Sequence, residues 1–377
     1  MTTKNFINFH VLISHSPSCL NRDDMNMQKT AVFGGVNRVR VSSQSLKRSM
    51  RMSDYHRATL GVPSVRTRDL GKLKSRFTDL LKDRYDAATV GKALECISGK
   101  EGIAEGVEAD AVAPWSVGEV AYFCGTIKAG EQDIKKLEKQ IERDARSFRE
   151  AMGKAVDIAL SGRMATSGLM TSLPVDGALA VAHAITTHAV EPQDVDWFTA
   201  VDDLTQDAGE TGAGHLNTQQ FSSGVFYRYA SLNLKQLQMN LGLIEDIKAP
   251  ETAESRQHAL DIARHVFHLL ATVVPSAKQQ SFAAHNLADF AIVSFADQPI
   301  SLANAFEQPV KRDYRDGGFL KPSIDKLADY WARLNRAYGL DEDARAFSVA
   351  DGPMLGGSAT LGSLKDMETW IANGGKV

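Results

Sequence analysis

A chain of 377 residues exceeds one ordinary core and fits either one large domain with an elaborate insertion or two domains. Its 43% hydrophobic and 24% charged content is close to globular averages and excludes global disorder and fibrous repeats, while 7% aromatics argues against an aromatic-rich β architecture. The net charge of −3 hides an asymmetry: Arg22, Lys29, Arg38, Arg40, Lys47, Arg48 and Arg51 oppose only Asp23 and Asp24, a local +5 that leaves −8 for the remainder.

In chain order, Asn5–Ser14 alternates and is rich in β-formers, so it predicts a strand. Residues 15–37 form a long polar loop of the kind that carries function. Arg38–Ser42 is a short strand, and a helix follows with Ser42 or Ser43 as its N-cap. Residues 66–160 predict helix throughout, with the clearest three-to-four spacing from Ile134 to Ile158. Strands return at Val181–Val190 and Phe221–Leu232. Between them, Glu191–Tyr227 holds seven acids and no Lys or Arg. Helix is expected at Ala253–Thr272, strand at Asp289–Phe295, and helix again from about Ile324, with a short helix around Trp370 after a glycine-bearing connection. Without the insertion the skeleton reads βαββαβ, so the expected class is α/β (α+β) with an RRM-like, ferredoxin-like palm. The expected boundaries are residues 1–58 and 181–340 for the two parts of the palm. Residues 59–180 form a mainly helical insertion, and 341–377 a C-terminal extension.

No apolar stretch approaches the roughly 20 residues of a membrane helix, and the first residues lack a signal core. Cys19, Cys96 and Cys124 are odd in number and not closely spaced, which predicts reduced thiols and a cytoplasmic protein.

The basic stretch reads as a localised anion-binding surface or as a solvated charged face. On the helix after Ser42, Gln44, Lys47 and Arg51 lie at i, i+3 and i+7, with Arg48 beside them, while Leu46 and Met50 face a core. Together with the N–H groups of the helix start this pattern makes a phosphate cradle, which Arg22 and Lys29 could close, and Lys278 is a lone cation in another polar loop. Catalytic templates are missing: there is no P-loop, no Gly-x-Ser-x-Gly and no His-Glu-x-x-His. His183 and His188 fall on opposite faces of a strand, and His265 and His268 lack further ligands, so no metal or cofactor is predicted. Ser323 begins a Ser-x-x-Lys match, read as a helix N-cap. Asp23 and Asp24 are acids that could touch bound RNA or cap their own loop.

Three runs near the start and middle carry a resemblance: Phe6–Lys29, Arg38–Arg48 and Asp157–Gly168. Further runs are Ile185–His188, Asp196–Asp203, Phe221–Tyr229 and Ser301–Glu307. In this order they closely resemble the CasC family, the repeated backbone subunit of the type I-E CRISPR surveillance complex Cascade. The resemblance implies a hand-shaped, non-catalytic subunit: an RRM-like palm, fingers formed by the insertion, and a thumb at 194–222. It implies as partners the crRNA, the target DNA strand, further copies of the chain in a helical array, and the other Cascade subunits. By the family's pattern, Arg22, Ser42, Gln44, Lys47, Arg51, Arg163 and Lys278 grip the RNA backbone. Met164, Phe198, Thr199 and Leu216 match the positions that wedge where one nucleotide in six is flipped out. Two other readings stand beside it. One is a type III-like subunit that cuts target RNA with Asp23 or Asp24. The other is a stand-alone RRM-type RNA-binding protein, which would expose aromatics on its central strands.

Overall fold

A computed structural model describes residues 4–130, 136, 137, 139, 148–151, 155–164, 174–198, 216–315, 317–349 and 360–376, with backbone alone at 195–198, 216 and 217. The strands are β1 (Phe6–Ser18), β2 (Thr30–Phe33), β3 (Val36–Val41), β4 (Val65–Asp69), β5 (Glu108–Trp115) and β6 (Leu179–Val181). They continue with β7 (Ala184–Thr186), β8 (Gln193–Phe198), β9 (Leu216–Asn233), β10 (Phe290–Ala296), β11 (Asp343–Ser348) and β12 (Thr360–Leu361). The helices are α1 (Ser43–Met52), α2 (Asp54–Thr59), α3 (Leu70–Leu81), α4 (Ala87–Ser98) and α5 (Val117–Lys128). After them come α6 (Val156–Ser161), α7 (Leu234–Asn240), α8 (Ala253–Thr272), α9 (Leu320–Tyr338) and α10 (Leu364–Ala372).

One large sheet has the order β12-β11-β10-β1-β9-β7-β3-β2, with β6 and β8 also pairing to β9. Its centre, β10-β1-β9-β7, is antiparallel throughout, and Phe9 stands opposite Val293 on one side and Ala230 on the other. Both faces of β1 are buried: Ile7, Phe9, Val11 and Ile13 face one core, and the alternate positions Asn8, His10 and Leu12 are enclosed on the other side as well. On one face α8 packs through Phe267, whose ring lies 6.2 Å from Phe9, and α10 adds Trp370 edge-on to Phe295. On the other, His10, Tyr227 and Tyr229 stack together beneath Ile324, Leu327 and Trp331 of α9. Burying a large side chain contributes about 1.5–3 kcal/mol, so covering both faces is a main source of stability.

The insertion is not purely helical. Val65–Asp69 and Glu108–Trp115 form a separate two-stranded antiparallel sheet, on which α3, α4 and α5 close their own core around Phe77, Phe123 and Trp115. The expectation of uninterrupted helix over 66–160 fails at these strands because each is short and carries charge, which periodicity cannot distinguish from a helical turn. The Ile134–Ile158 pattern falls largely outside the described residues; Val156–Ser161 is helical.

The C-terminal extension is an integral part of the sheet. β11 pairs with β10, and α10 packs on α8. The expected strand at Val181–Val190 is broken into β6 and β7, and Ser323 is an interior residue of α9 rather than its N-cap. Its hydroxyl donates 2.6 Å to Phe319 O and lies 2.8 Å from Thr187 Oγ1. Cys19, Cys96 and Cys124 are free and buried. Among the described residues no helix is long and apolar enough to cross a membrane.

Candidate functional site

The edge strand β3 runs directly into α1, and the turn between them is set by side chains. Ser42 caps the helix by accepting from Ser45 N at 3.3 Å, and its own N–H donates 2.9 Å to Asn21 Oδ1, which ties the preceding loop to the helix start. Leu46 and Met50 are buried against the sheet, as their spacing predicts. The opposite face of α1 looks into a cleft of about 920 Å³.

Six cationic side chains line that cleft: Lys47, Arg48 and Arg51 from α1, Arg57 from α2, Arg66 from β4 and Arg76 from α3. Gln44 also lines it, and no carboxylate does. Among the described residues, Arg57 has a long contact of 3.9 Å to Asp54, and no ion pair holds Lys47, Arg48, Arg66 or Arg76. Partial burial, and then the neighbouring Arg66 charge, push the Lys47 ammonium below its ordinary range. The same two causes act on Arg51, with Asp157 opposing them. One arm of Arg51 is fixed, Nη1 donating 2.9 Å to Ser64 O. Ser64 is itself held by Asp157, which accepts from its N–H at 2.9 Å and its hydroxyl at 2.5 Å. Cations crowded into a partly dry cleft raise each other's energy, and an anion relieves that cost.

A second opening of about 740 Å³ shares Gln44 with the first and is lined by Lys29, Arg40, Ser42 and His183. His183 Nδ1 accepts the Ser43 N–H at 3.2 Å, and burial together with Arg40 and Lys29 holds its ring below the ordinary histidine range. The first-turn N–H groups are therefore partly spent, on Ser42 and His183, rather than all open to a ligand. Arg22 and Lys278 each lie within electrostatic reach of the Cys19 thiol, which burial pushes up and they pull down. The guanidinium of Arg22 donates 2.7 Å to Asn26 Oδ1. Lys278 occupies a left-handed backbone conformation, φ 54°.

The structure thus brings Lys29, Ser42, Gln44, Lys47, Arg48 and Arg51 into one continuous basic track, with Arg22 and Lys278 beside the loop that Asn21 tethers to it. Arg163 does not join them. Its side chain is fully buried, and Nη1 sits 2.7 Å from Glu119 Oε1, so its charge is neutralised inside the insertion's core. Arg38, counted in the basic stretch, is likewise internal, donating to Thr186 O at 3.0 Å and Phe306 O at 2.8 Å. Met164, next to the buried Arg163, is 89% exposed. Phe198 and Leu216 are register partners at the described end of the β8–β9 ribbon. Thr199 lies outside the described residues.

Sequence reasoning missed Arg57, Arg66, Arg76 and His183. Arg66 and Arg76 are far from α1 along the chain, and only the return of the insertion over the helix brings them in. The run Arg66, Arg68, Lys72, Lys74 and Arg76, against the single acid Asp69, was the one available signal. Asp23 caps its own loop, accepting from Met25 N at 2.9 Å and Met27 N at 3.0 Å. His188 is a buried core residue stacked 3.6 Å from Phe319, and His265 and His268 bond Tyr55 and Glu368.

A profile for the family described as CT1975-like protein matches residues 7–371. A search of curated protein sequences gave no match. One similar solved structure is titled "CRISPR RNA-guided surveillance complex, pre-nicking"; it shares 28% identity and a TM-score of 0.75, over 98% of this chain and 100% of that chain. A second, titled "CRISPR RNA-guided surveillance complex", shares 24% identity and a TM-score of 0.58, over 98% of this chain and 99% of that one, a likeness of fold.

Proposed function

The chain belongs to the CT1975-like protein family, and on that premise we propose that it is a guide-RNA-binding backbone subunit of a Cascade-type CRISPR surveillance complex, of the CasC kind. The observation that carries the proposal is the cleft along α1, with six cations and no carboxylate. Such a surface holds phosphates without reading bases, which suits a subunit that positions a guide whose own pairing supplies the specificity. The 4-1-3-2 order of β10-β1-β9-β7 supports an RRM-like palm. The β8–β9 ribbon supports a thumb, with Phe198, Leu216 and exposed Met164 as its wedging residues.

In this reading copies assemble head to tail along the crRNA in the cytoplasm, beside the other Cascade subunits, and present the guide to the target DNA strand. The subunit is not itself an enzyme; the use of the Asp23 carboxylate as a loop cap supports this over a type III-like nuclease. A stand-alone RRM mode is disfavoured for a physical reason. The sheet aromatics it would use, Tyr227 and Tyr229, are buried beneath α9, 2% and 9% exposed.

The test is guide binding across a salt series with the wild-type chain and with Lys47→Ala/Arg51→Ala. Loss of affinity without sequence preference, and a salt slope lower by roughly 1.4, are expected for two lost single-strand phosphate contacts. Unchanged affinity and slope would overturn the assignment. So would cleavage of a complementary RNA in Mg²⁺ that disappears in Asp23→Ala or Asp24→Ala.

A further inference from the structure

Tyr314 is 89% exposed, and Lys311, Arg312 and Arg315, its near neighbours in sequence, are exposed as well. Among the described residues none of these three cations makes an ion pair. The one described acid within the segment is turned to its own backbone: Asp313 Oδ1 accepts from Arg315 N at 2.8 Å. The segment is also held in shape. Asp313 N donates 2.9 Å to Gly318 O, and Gly317 and Gly318 take φ 74° and 73°, a left-handed pair that side chains rarely adopt. At its base Val310 is buried and its N–H donates 3.0 Å to Thr187 O. A loop that keeps an aromatic ring in water, with Lys311, Arg312 and Arg315 around it and Asp313 Oδ1 turned to the backbone, is built to present that ring.

We propose that the Lys311–Arg315 loop is a second nucleic-acid contact, in which Tyr314 stacks on an unpaired base of a single strand while Lys311, Arg312 and Arg315 meet the flanking phosphates. A ring face and adjacent guanidinium groups are the pair of features that single-strand binders combine, because every base has a π-face and every linkage a charge. An acidic protein segment would satisfy the cations but leaves the projecting ring without a role. The loop is separate from the α1 cleft. It follows the segment whose Phe306 carbonyl Arg38 bonds, and no residue of the loop lines either opening beside α1. A strand other than the guide can therefore occupy it.

The experiment uses the full chain in the Lys47→Ala/Arg51→Ala background, so that the cleft contributes less, and a fluorescein-labelled oligothymidylate of about fifteen nucleotides read by anisotropy. Adding Tyr314→Ala is expected to weaken binding by about 5- to 150-fold, the range of one lost base stack, while Tyr314→Phe retains it. Adding Lys311→Ala/Arg312→Ala instead is expected to lower the salt slope by roughly 1.4. Thermal melting of Tyr314→Ala should match its parent, which separates loss of the contact from loss of the fold. Equal affinity with and without Tyr314 overturns the proposal. So does photocrosslinking of this loop to a protein partner in the assembled complex rather than to a strand. Guide affinity of the otherwise wild-type chain carrying Tyr314→Ala should be unchanged, so failure here is distinct from failure of the guide-binding reading.

Discussion

Along α1, Lys47, Arg48 and Arg51 open onto a cleft without a carboxylate, whereas Arg38 and Arg228 are buried in the body of the sheet and end on backbone carbonyls. Arg228 caps the end of α8, with Nη1 3.0 Å from Leu270 O and 2.8 Å from Val273 O, and burial lowers its pKa to about 10. Arg38 joins β3 to Thr186 and Phe306 in the same manner. Buried cations with complete sets of acceptors serve the fold; half-exposed cations without counter-ions serve a ligand. The difference lies in the partners, since the side-chain chemistry is the same in both regions.

The largest expected effect would come from breaking an internal pair. Glu119→Ala leaves the Arg163 guanidinium buried and uncompensated, and should cost about 3–5 kcal/mol in denaturant unfolding. Replacing both partners by apolar residues of similar volume, Glu119→Leu with Arg163→Met, should recover most of that loss. A Glu119→Ala protein as stable as wild type would place Arg163 back among the ligand-facing cations.

Acid should act on the sheet interior next. Burial pushes both His10 and His15 down to about 3 from the ordinary histidine value of about 6.5, with the Arg228 charge adding to the effect at His15. The folded state therefore binds these protons less readily than the unfolded chain does. Their contribution is complete above about pH 6.5 and is lost as pH falls from there towards 3, at up to about 1.4 kcal/mol per pH unit for each histidine. Melting curves at pH 7, 6 and 5 should show the decline, and His15→Gln should make it shallower. Equal declines in the two proteins would mean that His15 is protonated in the fold.

The smallest effect belongs to the cleft. Arg66→Ala should change stability by no more than about 0.5 kcal/mol, because no ion pair is lost and a repulsion on Lys47 and Arg51 is relieved. In guide binding the same change should lower the salt slope by roughly 0.7. A large stability loss with an unchanged slope would show that the cleft cations belong to the fold after all.

The local signals were strong where one segment decides its own structure. Ser42 as N-cap, the Leu46 and Met50 inner face, and the full span of α8 follow from capping chemistry and 3.6-residue periodicity, because the hydrogen bonds and side-chain neighbours involved are only a few residues away. The mixed succession of strands and helices was legible as an α/β class, and the runs resembling CasC pointed towards CRISPR surveillance complexes, the assemblies named in the titles of the similar solved structures. Only the tertiary structure decided which cations stay available. Arg163 is withdrawn because Glu119, 44 residues earlier, is folded against it. Arg66 and Arg76 join the site because the insertion returns over α1, and α9 seals the aromatic face of a sheet whose sequence left it open. Availability is a question of who the neighbours are, and neighbours distant in sequence are set by the packing of the whole chain.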